Sequence, residues 1–145
     1  MEDTLEMLSF IYKNAEMGYL SSNDLLTLLK EKNNKIKKDL DTITAEYKNY
    51  MDKSKKIIKK SKFSLPSNSL FTKVSSKMGM KMELNKDNSD SSIASMLIQG
   101  LTMGEISMEA KISSYKNSLD KNILNFAEEY KAFQQKYIEM LKKYL

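Results

Sequence analysis

From Leu119 to the end of the chain, large apolar and aromatic residues recur in alternating steps of four and three: Leu119, Ile123, Phe126, Tyr130, Phe133, Tyr137, Met140 and Tyr144. A strand, with its period of two, would scatter these side chains over both faces, whereas a helix gathers them into one stripe. A lone helix has nothing to cover that stripe. The segment therefore has to be one member of a helical bundle.

Two further segments keep the same rhythm. Leu5, Leu8, Tyr12, Ala15, Tyr19, Ser22, Leu26 and Leu29 predict a first helix over about 3–31. Gly18 and Ser21-Ser22-Asn23 weaken its middle, so a kink or break is expected there. After a turn at Asn33-Asn34, the positions Ile36, Leu40, Ile43, Tyr47, Tyr50, Ser54 and Ile57 predict a second helix over 35–61, ended by Pro66. Leu70, Phe71, Val74, Met78 and Met82 line one face of a shorter amphipathic helix at 70–84, with Lys73, Lys77 and Lys81 on another. A third long helix is expected over 91–116, a turn at Asn117-Ser118, and the last helix over 119–144.

The connection lengths set the topology. The first and third turns are short, while residues 63–90 join the second helix to the third. Helices of this size are roughly 40 Å long, and a connection of that length can run the whole way. The second and third long helices can then lie parallel, as in an all-α four-helix bundle with one long crossover. A single domain is expected, because a chain of 145 residues buries roughly 70% of its unfolded surface without staples.

Composition removes several chemistries. Cysteine and histidine are absent, which excludes thiol catalysis, thiolate metal sites and disulfides. No cofactor is expected, and no catalytic pair of nucleophile and base can be placed. The start, Met1-Glu2-Asp3, is acidic where a secretory signal is basic, and the charge-free run from Ser91 to Gly104 is too short for a membrane span. A cytoplasmic protein without a transmembrane segment is the expectation. All 24 basic residues are lysines, and residues 30–62 carry a local net charge of +7 within a chain of +5.

Ile11-Tyr12-Lys13-Asn14-Ala15-Glu16-Met17-Gly18 and Ile93-Ala94-Ser95-Met96-Leu97-Ile98-Gln99-Gly100 with Met103-Gly104, together with the crossover, resemble small bacterial proteins of the ferritin-like, rubrerythrin-like class. The resemblance implies ferritin-like topology. It also implies a di-iron or di-manganese centre built from Glu and Glu-x-x-His motifs. The remnants here, Glu46-Tyr47-Lys48-Asn49 and Glu128-Glu129, do not complete that motif. An all-carboxylate oxidoreductase or storage site drawing on Glu16, Glu46, Glu105 or Glu109, and Glu129 is the alternative. It would require several buried carboxylates, each costly without a metal.

The helix over 91–116 is apolar in too many directions for one stripe, and a helix apolar all round is buried all round. Two covers are available: the helix at 70–84, or the same helix of a second copy in a homo-oligomer. Ile93, Met96, Leu97, Gly100, Met103 and Gly104 are the residues expected at such a seam with a second copy or a protein partner, with internal packing as the plain reading of the glycines. The leading functional expectation is accordingly a non-catalytic bundle that associates through this helix.

Three other patterns carry weaker implications. Lys55, Lys56, Lys59 and Lys60 form a candidate anion contact, for a phosphate polymer or a peripheral anionic membrane surface, although cations at a helix C-terminus also complement its dipole. Arginine is absent, which argues against specific nucleic-acid reading. Met78, Met80 and Met82 have soft sulfurs suited to Cu(I), yet helical spacing points them apart, and packing is the better account. Finally, eight tyrosines, most on the ladders, need buried partners that Asn14 and Gln99 are placed to supply, as a register-fixing layer or a small polar pocket.

Overall fold

The ladders become helices. The computed structural model describes residues 2–65 and 87–145. Among them the elements are α1 (Glu2–Leu28), α2 (Lys37–Lys60), α3 (Asp90–Tyr115), α4 (Lys121–Leu141) and a 3-10 turn at Lys142–Tyr144. No strand occurs among the described residues, so the chain is an all-α bundle there. None of these helices is long and apolar enough to cross a membrane. The helix expected at 70–84, including Met78, Met80 and Met82, lies outside the described residues.

Contacts at the two ends give the helix directions. The Asp90 carboxylate at the start of α3 accepts from the Asn34 side chain at 3.0 Å and from the backbone N–H groups of Lys35 and Ile36 at 3.2 and 3.4 Å. It thereby satisfies donors just ahead of α2. At the opposite end the Tyr115 hydroxyl donates to Glu6, and the Ser118 hydroxyl donates to Asp3 at 2.6 Å. The start of α3 thus sits by the α1–α2 turn and its end by the start of α1, so α2 and α3 run the same way. Tyr144 donates to Asp39 at 2.5 Å and Lys143 pairs with the same carboxylate at 3.0 Å, which ties the C-terminal turn to the beginning of α2.

The break expected in the middle of α1 does not occur, whereas α2 ends at Lys60, within one residue of the expected 61. α1 continues unbroken through Gly18 and Ser21-Ser22-Asn23. α2 ends before Pro66: Lys62 takes a left-handed φ of 64°, with Lys62 N–H bonded to the Lys59 carbonyl at 3.0 Å and Phe63 N–H to that of Ile58 at 3.1 Å. This is a Schellman ending, which satisfies orphan carbonyls and lays Phe63 back towards Ile58.

The core follows the ladders with a wider stripe on α1, where Met7, Ile11 and Leu25 join Leu8, Tyr12 and Ala15. Between α2 and α4 the packing is aromatic. Tyr47 meets Phe133 edge-on at 5.0 Å, Tyr50 stacks on Phe133 at 5.4 Å and meets Tyr130 at 5.1 Å, and Phe133 meets Tyr137 at 5.4 Å. Each such pair contributes about 0.5–1.5 kcal/mol beyond its buried area. The closest backbone approaches occur within the α1–α2 and α3–α4 hairpins.

Two glycines are dictated by this packing. A Cβ on Gly18 would fall inside the Tyr47 ring, and one on Gly104 would overlap the Gln134 amide, whereas a Cβ on Gly100 would meet nothing within 4 Å. In urea melts, Gly18→Ala is expected to destabilise the fold by about 1–3 kcal/mol through overpacking. Gly100→Ala should instead stabilise it by up to about 1 kcal/mol through helix propensity.

Candidate functional site

α3 holds all six residues expected at a seam, and its side chains sort into three directions. Ile93, Ala94, Leu101, Gly104, Met108 and Ile112 face the core and are buried. Ile93 and Gly104 are therefore packing positions of this chain rather than seam residues. Gly104 gives the expected close approach to the Gln134 side chain on α4. Met96 and Leu97 are half-buried, while Gly100 is exposed.

The charges of α3 lie on its flanks. Glu105 accepts from the Gln135 side chain at 2.9 Å and Glu109 pairs with Lys131 at 2.6 Å, both on α4. On the other flank Lys111 approaches Glu6 at 3.9 Å and lies 5.5 Å from the centre of the Phe10 ring, both on α1. What remains outward is a line without charge: Ser95, Gln99, Met103, Ile106, Ser107, Ala110, Ser113 and Ser114, all exposed. Met103 is 68% and Ile106 64% exposed, the greatest exposures of large apolar side chains within the four described helices. Ser95, Gln99, Met103, Ile106, Ala110 and Ser113 step by three or four residues, so the line is a second helical stripe on a helix whose first stripe is already used. Ile106 and Ala110 continue it by spacing, beyond the charge-free run that ends at Gly104.

A polar layer crosses the middle of the bundle. Asn14 Oδ1 accepts from the Tyr130 hydroxyl, and from Gln134 Nε2 at 3.2 Å. Asn14 is thus the expected tyrosine partner, but its companion is Gln134 rather than Gln99, which is exposed. Gln134 is fully buried, and its Oε1 is the one buried side-chain polar atom without a partner among the described residues. Burial raises the Tyr130 hydroxyl well above the ordinary phenol value, with the neighbouring Tyr47 and Tyr50 adding to it. Burial also raises Tyr47. Tyr50, beside Glu46 and Glu129, is pushed up to about 12, first by burial and then by those carboxylates. Tyr144 is likewise pushed up to about 12, by burial and by its bond to Asp39.

Beside this layer a cavity of about 240 Å³ opens between α1, α2 and α3. Gly18 and Leu25 of α1, Ile43 and Tyr47 of α2, and Met96 and Leu101 of α3 contribute to its walls.

The described carboxylates lie apart from one another. Among the described residues no group of three or more acidic side chains is close enough to hold an ion. Glu16 bonds Tyr12 at 3.0 Å, while Glu105 and Glu109 face α4 as above. The middle of the bundle is filled by Asn14, Gln134 and aromatic rings, which do not fit a di-metal centre. At the far end of α2, Lys56, Lys59 and Lys60 are exposed and Lys55 is half-buried. Lys59 and Lys60 lie in the last turn, where the helix dipole favours cations.

No protein-family model, curated protein or solved structure matches this chain.

Asn14→Leu leaves the Tyr130 hydroxyl and the Gln134 amide buried without an acceptor and is expected to cost about 2–4 kcal/mol. Gln134→Met removes the orphan oxygen together with its amide and should stay within about 1 kcal/mol of the parent. Chemical denaturation of the pair checks this contrast. A second expectation concerns alkali. Phenols whose folded pKa is raised stabilise the fold fully below their ordinary value of about 10 and lose that contribution as pH rises through the raised value. Phenolate absorbance should therefore remain incomplete at pH 11, then rise together with loss of helical circular dichroism above about pH 12, whereas the protein in guanidinium titrates near pH 10.

Proposed function

We propose that this chain is a non-catalytic, cytoplasmic helical-bundle protein with ferritin-like topology that self-associates as a two-fold dimer through the outer face of α3. The observation that carries the reading is the uncharged outward line centred on Met103 and Ile106. In a chain of net charge +5, a face without charge spares two copies the local repulsion and the charge desolvation of a lysine-bearing contact. The flanking contacts of Glu105, Glu109 and Lys111 keep α3's own charges off that line.

In an antiparallel pair centred on Met103 the two helix dipoles are opposed, which favours that orientation. Small residues at Ser95, Gly100, Ser107, Ala110 and Ser114 let two backbones approach, with Met103 and Ile106 as the apolar anchors. The same-way course of α2 and α3 supports the one-crossover topology, and the asparagine and glutamine in the bundle's middle support a class member without the metal chemistry.

A helix of 26 residues offers a modest interface, so association should depend on concentration. Light scattering over a dilution series is expected to give twice the protomer mass at high concentration, falling towards the protomer on dilution. Met103→Glu with Ile106→Lys should give protomer mass throughout, with the thermal midpoint of the protomer unchanged. A parent protein that is monomeric at every concentration would overturn the reading.

A further inference from the structure

The cavity between α1, α2 and α3 belongs to a single protomer and shares only Gly100 with the outer face of α3. Its volume, about 240 Å³, exceeds the roughly 150 Å³ of an apolar cavity that takes up benzene. A six-membered ring with a short substituent matches that space. The wall is mostly apolar, built by Met17, Leu25, Ile43, Met96, Leu97 and Leu101, and none of its residues is charged.

The polar groups on the wall are the informative part. Ser22 is 3% and Tyr47 7% exposed, both line the cavity, and neither hydroxyl bonds to a protein group among the described residues. Asn14, whose Oδ1 is already occupied by Tyr130 and Gln134, also lines the cavity and has its Nδ2 left over. Neither hydroxyl oxygen is sealed off, since Gln134 Oε1 is the one buried, unpartnered side-chain polar atom among the described residues, so both stay open to solvent or to a guest. Ser22, Tyr47 and Asn14 line the same mostly apolar space. That combination, an apolar body with a few convergent polar groups, is what a small-molecule site presents. The Tyr47 ring packs edge-on against Phe133 at 5.0 Å, in room that Gly18 leaves for it. Entry is between α1 and α3, where Met17, Ser21 and Met96 are half-buried and Gly100 is exposed.

We infer that this cavity is a binding site for a small, uncharged ring compound carrying one hydroxyl or carbonyl oxygen, with the ring among the aliphatic side chains and the oxygen at Ser22, Tyr47 and Asn14. The absence of charge on the wall selects against carboxylates and amines, whose desolvation nothing there would offset.

The test uses benzyl alcohol and phenol as probes, toluene as the ring without oxygen, and benzoate as the charged analogue. Amide resonances of the full chain are followed by nuclear magnetic resonance during titration. The alcohol and the phenol are expected to shift Gly18, Ser22 and Gly100 saturably, toluene more weakly, and benzoate not at all. Tyr47→Phe keeps the ring and removes the hydroxyl. It should weaken benzyl alcohol by about three- to tenfold and leave toluene unchanged. Ser22→Leu fills the space and should abolish binding of every probe while keeping the protein folded. The inference is overturned if no probe at millimolar concentration moves those resonances, if toluene binds as tightly as benzyl alcohol, or if Ser22→Leu still binds. Binding retained in the Met103→Glu, Ile106→Lys protein separates this site from the proposed dimer.

Discussion

The bundle depends on how the aromatic seam between α2 and α4 is accommodated by α1 and α3. Rings at Tyr47, Tyr50, Tyr130 and Phe133 bring large apolar area and directional ring contacts. They also fill space that neighbouring helices would otherwise occupy. Gly18 yields to the Tyr47 ring and Gly104 to Gln134. Asn14 accepts the hydrogen bond of the Tyr130 hydroxyl, which burial would otherwise leave without a partner. A change in any one of these would either open a void or strand a polar group, and both are expensive in a close-packed interior.

The ends of the bundle use a different device. Asp3 and Glu6 receive hydroxyls from the α3–α4 corner, while Asp39 and Asp90 receive donors at the opposite end. All four acids lie in or near the first turns of α1, α2 and α3, where the helix dipole also favours negative charge. One carboxylate thus serves its own helix and ties the other hairpin to it. The long apolar stripes tolerate sliding, so such polar ties, with the Asn14 layer, are what fix the register.

The two surfaces put forward as functional arise from the same economy of side chains. α3 directs most of its large residues inward and its charges sideways, leaving Met103, Ile106 and small uncharged groups outside. On its α1 side the small residues Gly18, Ser21 and Gly100 leave space that the aromatic ring of Tyr47 only partly takes. A neutral outer line suits a second copy of the chain. An open-mouthed, uncharged cavity lined by Ser22 and Tyr47 suits a small neutral guest.

Spacing alone determined the helices, their approximate limits and the bundle class, because a stripe repeating every three to four residues can be buried in only one kind of secondary structure. The lengths of the connections likewise indicated the order and direction in which the helices run. The choice of Gln134 over Gln99 as Asn14's companion lay beyond the sequence, as did the turning of Gly104 inward and Gly100 outward. These depend on rotation of each helix about its axis, and a rotation of one residue, about 100°, exchanges a buried side chain for an exposed one. The ending of α2 was also decided by three-dimensional structure: a left-handed Lys62 closes it ahead of Pro66 through backbone bonds that any residue type can make. The cavity is the furthest from the sequence, since it exists only where side chains from three helices fall short of meeting.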